Sequence, residues 1–549
     1  MSDSTATVEG DVRLVSGARG TARLVAAPAP GHAAEHEDPY KYKYIIAIAV
    51  TLAAVLELID TSIVNVAIPH MMGNLGATLD EISWVSTGYI IANVIVIPMS
   101  GWLSSYFGRK RYLTGSIALF VAASFMCGAA RSLEMLILWR VIQGLGGGAL
   151  LSTAQTTLFE AFPPEEVGIG QAMFGVGVMV GPTIGPTLGG YIVDNYNWPW
   201  IFYINIPLGI LAAFMVYTYV HDAAHQERAK RIDFPGILFL ATGVGSLQWM
   251  LERGERYDWF DSKFVTALCV TAVVSFALLI WRELTCDEPV INFRVLKSRQ
   301  LSAGVSIAAF LGLALFGSVF VLPVFLQELH GFTANQTGLV ILPGAIASAI
   351  TMAWVGRNAN WLDARATVTL GALFFLLSMW QLSTLTLDAG RGDLFWPLVW
   401  RGVGLGLIFV PLTNATMADL ATRDLAQGTG MFNLTRQLGG SLGIAIMATL
   451  LSRFTTIAKA NLAEHVTTMD PTSLGRLHAM TSAMIARGAP ATVARAQALA
   501  LMDHEITAQA SVLAFSKIYL LSGVLLVSSL PLLLFFHTGK ARTTVRSLH

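Results

Sequence analysis

Long apolar segments recur along the chain from Tyr44 onward, and short polar connections separate them. A helix needs roughly 17–25 predominantly apolar residues to cross a bilayer. Helices are expected because backbone groups in hydrocarbon must be hydrogen-bonded within their own segment. We therefore predict about fourteen spans, near residues 44–68, 84–106, 112–130, 135–159, 168–192, 200–220, 236–251, 264–281, 301–325, 336–355, 367–387, 395–418, 428–451 and 515–536.

The composition supports this interpretation. The 549 residues are 54% hydrophobic and only 13% charged, whereas soluble domains carry roughly 25% charged residues. A water-soluble core does not bury so much apolar surface, so we predict an all-α integral membrane protein that contacts lipid. The formal net charge of zero gives no reason to expect a nucleic-acid partner.

The positive charges of the connections are concentrated on one side of the predicted membrane. If the N-terminus lies in the cytoplasm, most Lys and Arg residues of the connections, such as Arg111, Lys230 and Arg294, also lie there. By the positive-inside rule this bias sets the orientation. We predict a multi-pass protein with both termini cytoplasmic.

Two halves of the chain resemble each other. "WRVIQGLGGG" from Trp139 is similar to "WRGVGLGLIF" from Trp400. Two further pairs of similar segments occur, and the three segments have the same order in both halves. Repeated halves with a site at their interface are typical of transporters. The predicted organisation is a disordered cytoplasmic tail at 1–43, a six-helix bundle at 44–220, two extra spans at 221–300, a second six-helix bundle at 301–540 with a periplasmic helical segment at 453–514, and a cytoplasmic tail at 541–549.

Ionisable residues inside the spans are candidates for function. Glu57 and Asp60 lie three residues apart on one face of the first predicted helix. A carboxylate near the bilayer centre costs at least ~2.5 kcal/mol. Arg140 lies at a similar depth in the fourth span, within side-chain reach of Asp60. We predict that Asp60 and Arg140 couple proton binding to transport; a static ion pair that fixes packing is the alternative.

Glu57 has two open interpretations, assistance in the proton step or attraction of a cationic substrate. Arg401 occupies the place of Arg140 in the second half, and no acid in the middle of the later spans matches it. Structural and functional roles are both open for Arg401. The polar residues predicted to line a substrate cavity are Asn65, Asn93, Gln143, Gln155, Arg401 and Asn414.

Small residues at four-residue spacing predict a close helix contact in "GPTIGPTLGGYI". The members of this segment are Gly181, Pro182, Gly185, Pro186, Gly189 and Gly190. It is either a hinge that controls opening or ordinary small-residue packing. A short basic turn, predicted to be cytoplasmic, contains Gly101, Gly108, Arg109 and Lys110; it anchors the topology and is a candidate gate latch.

The segment at 453–514 is the only long outer connection that we predict. Asp470 followed by Pro471 is typical of a helix start, and a helix from Pro490 would run into the last span. The segment is either a docking hairpin for a periplasmic partner or a lid on the transporter. Three scattered cysteines make no disulfide framework.

No phosphate-binding loop of the G-x-x-x-x-G-K-[ST] type occurs, so ATP-driven pumping has no support. No nucleophile–base cluster stands out either. We expect no enzyme activity, no catalytic residues, no metal and no cofactor, with a proton gradient as the energy source.

Several motifs resemble those of a known family. They are "LIDTSIVNVAIP" from Leu58, "LWRVIQGLGGG" from Leu138, "GVMVGPTIGPTLGGYI" from Gly177, "WPWIFYINIPLGI" from Trp198 and "LPVFLQELHGFTANQTGLVILP" from Leu322. Together they are similar to the fourteen-helix drug:proton antiporters of the major facilitator superfamily, of the EmrB/QacA type.

The resemblance implies a proton-coupled multidrug exporter of the bacterial inner membrane, with Asp60 as the protonation site and Arg140 as its partner. It also implies amphipathic substrates and work with a periplasmic adaptor and an outer-membrane channel. One departure is Ser105, which stands where the superfamily's loop motif usually has an acid. A proton-coupled uptake symporter and a transporter-like membrane sensor or scaffold are the alternatives.

Overall fold

A computed structural model describes residues 40–222, 232–286, 288–467 and 470–536. The predicted tail at 541–549, residues 1–39 of the predicted N-terminal tail, and Lys230 lie outside these ranges. Within them, 14 helices are long and apolar enough to cross a membrane. The predicted all-α architecture is therefore confirmed.

The helices follow one another with short connections. They are α1 (Lys43–Leu75), α2 (Trp84–Phe107), α3 (Arg109–Gly128), α4 (Leu133–Ala161), α5 (Val167–Asn195), α6 (Asn205–Tyr219), α7 (Phe234–Arg253), α8 (Lys263–Thr285), α9 (Arg299–Val324), α10 (Ala334–Arg357), α11 (Ala364–Ser383), α12 (Arg391–Met417), α13 (Leu425–Glu464), α14 (Pro471–Ala486) and α15 (Ala491–Ser528). Short helical turns at Leu79–Ile82 and Trp200–Tyr203 precede α2 and α6, and a π-helical turn at Phe325–Leu329 follows α9.

Polar side chains fix several helix starts. Ser132 accepts a hydrogen bond of 3.3 Å from the backbone N–H of Met135 at the start of α4. Thr333 and Gln336 form a reciprocal capping box at the start of α10. Such caps satisfy N–H groups that have no partner within the helix, and they end the short loops at defined residues.

The helices form two groups of six, with α1–α6 in the first half of the chain and α9–α13 with α15 in the second. α1 packs on α5 and α2 on α4, while α9 packs on α13 and α12 on α10 and α11. Glycines make equivalent contacts in both halves. A β-carbon at Gly144 of α4 would overlap the backbone of Tyr89, and one at Gly402 of α12 would overlap the backbone of Gly344.

Because the spans alternate in direction, the bundle has two ends. We call the end where α1 begins the proximal face and the opposite end the distal face. The halves meet along α5 and α10, and α13 packs on both α2 and α4. At the proximal ends of these helices, a β-carbon at Gly101 would lie 3.0 Å from the backbone of Ala426.

The two extra spans, α7 and α8, pack against each other, and α7 also contacts α2 and α13. The rings of Trp84 and Trp249 meet edge to face at 4.9 Å. The Trp259 indole N–H donates to the Thr449 hydroxyl at 3.0 Å. The two extra spans and the loop between them therefore contact α2 of the first half and α13 of the second half near the distal face.

The segment between the membrane-spanning parts of α13 and α15, at the distal end, forms an arm. α13 has 40 residues, a length of about 60 Å against a hydrocarbon core of about 30 Å. α14 packs on α15, and ion pairs join Lys459 to Asp503 at 2.8 Å and Arg476 to Glu505 at 2.6 Å. The arm thus consists of the end of α13, α14 and the start of α15.

Candidate functional site

The centre of the first half contains a buried ion pair. Arg140 Nη1 of α4 donates a hydrogen bond of 2.5 Å to Asp60 Oδ2 of α1. Asp60 is 0% exposed and Arg140 1%. Arg140 Nε also donates to the Val85 carbonyl at 3.0 Å, and the guanidinium lies 4.1 Å from the centre of the Tyr89 ring. The structure therefore brings together the two residues of the predicted coupling pair.

Two amides complete the shell around the Asp60 carboxylate. Gln143 Nε2 donates to Asp60 Oδ1 at 2.9 Å, while Gln143 Oε1 accepts from Arg140 at 2.8 Å. Asn205 Nδ2 of α6 donates to the same Oδ1 at 2.8 Å. Asn205 was missed by the sequence analysis, although an asparagine within the apolar "YINIPLGI" segment was a usable signal.

This arrangement has a definite chemical consequence. A buried ion pair is tolerated only where hydrogen bonds satisfy both partners. Here Asp60 receives three donors from two other helices. Protonation would remove the charge that Arg140 faces and would weaken these charge-assisted bonds. A proton on Asp60 is thus linked to the packing of α1, α4 and α6.

A second buried acid lies one turn from Asp60. Glu57 is 4% exposed, and its Oε1 accepts a hydrogen bond of 2.8 Å from Asn93 Nδ2 of α2. Glu57 Oε2 has no hydrogen-bond partner. Arg436 of α13 is also 4% exposed, and its Nε likewise has no hydrogen-bond partner.

A row of polar contacts between α13 and α4 leads toward the proximal face. Arg436 Nη2 donates to Asn433 Oδ1 at 3.2 Å, and Asn433 Nδ2 donates to Gln155 Oε1 at 2.7 Å. The hydroxyls of Thr156 and Thr429 lie 2.6 Å apart. We call these contacts the interhalf row.

The sequence analysis missed Arg436, Asn433 and Thr429. These three polar residues are spaced four and three positions apart in the apolar start of α13. Their role can be recognised only when the helix that faces them is known.

The remaining predicted cavity residues are dispersed. Asn65 is exposed and accepts from the Ser86 hydroxyl at 3.3 Å. Arg401 is 6% exposed near Tyr519, and Asn414 is half-buried. No hydrogen bond among the described residues connects these three to Asp60. No group of His, Cys, Asp and Glu in the described ranges has metal-site geometry.

The glycine-rich segment of α5 faces α1. A β-carbon at Gly181 would lie 2.7 Å from Leu58 Cβ, and one at Gly189 would lie 2.7 Å from Ile63 Cγ1. At Gly185 it would overlap the Ser62 side chain. Pro182 and Pro186 lie inside the same continuous helix, and Gly190 has its nearest neighbour at 4.0 Å. The seam thus holds α5 against the helix that carries Glu57 and Asp60.

Comparison with known proteins identifies the family of this chain. The sequence matches the Major Facilitator Superfamily over residues 50–444. The chain belongs to this superfamily.

Within the superfamily, the chain is similar to multidrug exporters. It is 36% identical to the multidrug export protein EmrB of Escherichia coli K12, over 88% of this chain and 93% of that protein. It is 32% identical to the fatty acid resistance protein FarB of Neisseria gonorrhoeae, over 90% of this chain and 97% of FarB. These relatives place the chain among EmrB-type transporters.

Solved structures support the fold. The human organic anion transporter MFSD10 superimposes with a TM-score of 0.57 over 88% of this chain and 99% of that chain, at 13% identity. At this identity the likeness shows the fold alone. The chain is therefore a multi-pass membrane transporter with the superfamily's architecture.

The basic residues of the loop motif, between α2 and α3, contact acids that lie outside the motif. Ser105 donates back to the Gly101 carbonyl at 3.1 Å. Arg109 forms an ion pair with Glu160 of α4. The backbone N–H of Lys110 donates to Asp222 at 2.8 Å. Gly108 has a φ of 86°, which favours glycine. Asp222, after α6, and Glu160, at the end of α4, therefore hold the loop that lacks the usual acid.

Proposed function

We propose that this transporter exports amphipathic compounds across the bacterial inner membrane in exchange for protons, by alternating access. The single observation that carries the proposal is the fully buried Asp60–Arg140 pair, with its shell of amide donors. The printed functions of EmrB and FarB, multidrug export and fatty acid resistance, support amphipathic substrates of this chain. The proton gradient is the proposed energy source.

The pair is suited to coupling because it lies on helices that also form the gate. α1 carries Asp60 and packs on the glycine seam of α5. α4 carries Arg140 and also Gln155, which joins the interhalf row. A change in the charge of Asp60 therefore acts on two helices that touch the boundary between the halves.

The proximal face is the proposed cytoplasmic side, because the positively charged connections lie there. The N-terminus, the loop after α2 and the C-terminus would then all be cytoplasmic. The interhalf row would close the cytoplasmic entrance, and the substrate would leave at the distal, periplasmic face. Substrate loading requires these hydrogen bonds to open.

An uptake symporter is the main rival, since proton coupling by Asp60 does not fix direction. The discriminating experiment uses proteoliposomes that contain a pH-sensitive dye and an imposed pH gradient. An antiporter accumulates tetraphenylphosphonium or another exported compound in the more acidic compartment, and dissipating the gradient releases it. Accumulation in the less acidic compartment would support the symporter instead.

A sensor or scaffold is the second rival, and it needs no cycling acid. Asp60→Asn keeps the size of the side chain and removes its charge. Loss of gradient-driven accumulation in this variant supports coupled transport. Full cellular function of Asp60→Asn without any transport would favour a sensor.

The arm is the proposed docking site for a periplasmic adaptor that leads to an outer-membrane channel. It projects beyond the membrane and exposes apolar side chains, among them Ile457, Ile485 and Leu499. A photo-crosslinking residue at Ile485 should capture the adaptor of the same organism. The same residue at Leu211, an exposed position on membrane-spanning α6, should not; equal capture at both positions would contradict the docking site.

A further inference from the structure

A buried cluster of charged side chains joins the two extra spans, α7 and α8, at the proximal face. Arg282 Nε, near the end of α8, donates to Asp233 Oδ1 at 3.1 Å, and Asp233 directly precedes α7. Asp233 is 4% exposed and Glu283 1%. A β-carbon at Gly236 would lie 2.6 Å from Asp233 Oδ2 and 2.9 Å from Glu283 Oε1, so a larger residue would displace one of the two acids. The proximal ends of α7 and α8 therefore form one unit.

The linker between α8 and α9, residues 288–298, is attached to this unit. Glu283 Oε2 accepts a hydrogen bond of 3.3 Å from the backbone N–H of Ile291. Arg294 Nη2 donates to the Leu284 carbonyl at 3.3 Å. Val290 and Ile291 are 0% and 2% exposed. Because an unpaired buried N–H or carboxylate is costly, the bond between Glu283 and Ile291 holds the linker to the end of α8.

The same linker contacts the second half from its other side. Gln427 belongs to the first turn of α13. Its Oε1 accepts from the backbone N–H of Asn292 at 3.4 Å, and its Nε2 donates to the Val290 carbonyl at 3.5 Å. The turn at Phe293–Lys297 within the linker packs on α9. The linker thus connects the extra spans to the proximal ends of α9 and α13.

At the distal face the extra spans contact both halves, and the two sets of contacts differ. The bond between Trp259 and Thr449 gives α13 a second point of attachment, far from Gln427 along the same helix. The first half contributes Asp80, which forms an ion pair with Arg256 and accepts from Arg253 at 3.3 Å through its carbonyl. The side chains of Arg256 and Asp80 are 46% and 55% exposed, and exposed ion pairs are weak in water.

We propose that the linker is a strap that makes α7 and α8 move with the second half, and that Gln427 is its positioning residue. Opening of the proximal face breaks the interhalf row, and α13 then carries the strap and the extra spans with it. The exposed contacts of Asp80 break and re-form in each cycle. This inference rests on the proposed export by alternating access, and it specifies which helices move as one body.

Movement with the first half would be more costly. It would separate the linker from Gln427 and leave the buried backbone groups of Val290 and Asn292 without these partners. It would also pull on the short chain between Ile291 and Arg299, where α9 begins. Movement with the second half keeps all of these contacts. It requires only that the contacts at the distal face with α2 and the turn before it be exchanged.

The test joins pairs of cysteines in purified full-length protein whose three native cysteines are replaced by serine. Asn292→Cys with Gln427→Cys joins the strap to the second half. Asp80→Cys with Arg256→Cys joins the extra spans to the first half. Each variant is reconstituted into proteoliposomes and treated with a short bifunctional thiol reagent. Accumulation of tetraphenylphosphonium, driven by a pH gradient, is measured before and after treatment, so the unjoined form of each variant controls for folding.

The two pairs should respond in opposite ways, because rigid bodies tolerate internal links and are blocked by links to each other. The joined strap pair should transport within about twofold of its unjoined form, or faster, since the link replaces the lost Gln427 bonds. The joined distal pair should lose about tenfold or more. The reverse result would assign the extra spans to the first half and overturn the inference. Equal loss in both pairs, or no loss in either, would overturn it as well, because the spans would then follow neither half.

A third pair separates failure of this inference from failure of the export mechanism. The hydroxyls of Thr156 and Thr429 lie 2.6 Å apart across the two halves. Oxidation of Thr156→Cys with Thr429→Cys to a disulfide should abolish accumulation, whichever half carries the extra spans. If this link blocks transport and the strap link also blocks it, only the inference is wrong. If transport continues with the halves linked, alternating access at this row fails, and the proposed export mechanism fails with it.

Discussion

Asn205 donates a 2.8 Å hydrogen bond to the carboxylate of Asp60, across 145 residues of sequence. Asn205 is itself fully buried, and it also donates to the Ser124 hydroxyl at 3.1 Å. The start of α6 is thereby tied to both α1 and α3 at the depth of the charge pair.

Loss of the Asn205 amide should destabilise the folded protein. Asn205→Leu fills a similar volume but leaves Asp60 with one donor fewer, which costs about 1–3 kcal/mol for a buried polar group. We expect a lower midpoint of thermal unfolding in detergent. The matched control is Asn65→Leu, because Asn65 is exposed and such changes usually stay within about 0.5 kcal/mol. Equal midpoints for the two variants would show that the Asn205 bond contributes little.

Replacement of two glycines of α5 by alanine should change the stability of the folded protein in opposite directions. Alanine is favoured over glycine in a helix by up to about 1 kcal/mol, so Gly190→Ala, whose added methyl group has its nearest neighbour at 4.0 Å, should unfold at the same or a higher temperature. Gly185→Ala places a methyl group into Ser62, and overpacking costs about 1–3 kcal/mol. It should lower the unfolding temperature and reduce transport. Equal stability of both variants would mean that α1 and α5 separate freely at this point.

The proposed orientation predicts the labelling of introduced cysteines. In a background with the three native cysteines replaced by serine, Gly475→Cys in α14 should react with a membrane-impermeant maleimide on spheroplasts. His221→Cys, after α6, should react only once the membrane is permeabilised. Both positions are exposed, so the side of the membrane on which each cysteine lies decides whether the reagent reaches it. The reverse pattern would place the N-terminus outside.

The cap of α14 predicts a pH effect on the arm. The Ser473 hydroxyl, followed by the backbone N–H groups of Ser473 and Thr472, holds the pKa of Asp470 below its usual value of 3.8. A lowered pKa means that the charged cap stabilises the helix fully at neutral pH. This contribution is lost only as the pH falls below about 3.8 and through the folded-state value.

Hydrogen exchange of the α14 amides, corrected for intrinsic rates, checks this cap. Asp470→Ala should lose protection at pH 7, whereas Asp470→Asn, which also caps helices well, should retain most of it. Wild type should lose protection, toward that of Asp470→Ala, as the pH falls below 3.8 and through the lowered folded-state pKa, and Asp470→Asn should change little over the same range. A wild-type arm whose protection is independent of pH over this range would refute the role of the charge.

Much of the fold is predictable because lipid imposes a simple rule. Each apolar run must be a helix of sufficient length, and even the short run at 236–251 forms α7 from Phe234 to Arg253. Helix ends outside the membrane are less predictable. α13 was expected over 428–451 but extends to Glu464, because the hydropathy signal stops at the membrane while the helix continues into the arm.

The site is only partly predictable for a related reason. Asp60 and Arg140 were paired from depth alone, since both are costly in hydrocarbon and lie at similar levels. Arg436 and Asn433 were not assigned to the interhalf row, because sequence gives depth along a helix but not the direction that the helix faces. Asn205 was missed because a neutral amide in an apolar run gives a weaker signal than a charge.

Proton release on substrate binding tests the central claim most directly. Purified protein in weakly buffered detergent solution, with a pH-sensitive dye, receives an amphipathic compound that the protein binds. The account predicts release of about one proton per wild-type molecule and none from Asp60→Asn, with the compound bound in both cases. Release from Asp60→Asn equal to that from wild type, or binding to wild type without any release, would contradict proton coupling by Asp60.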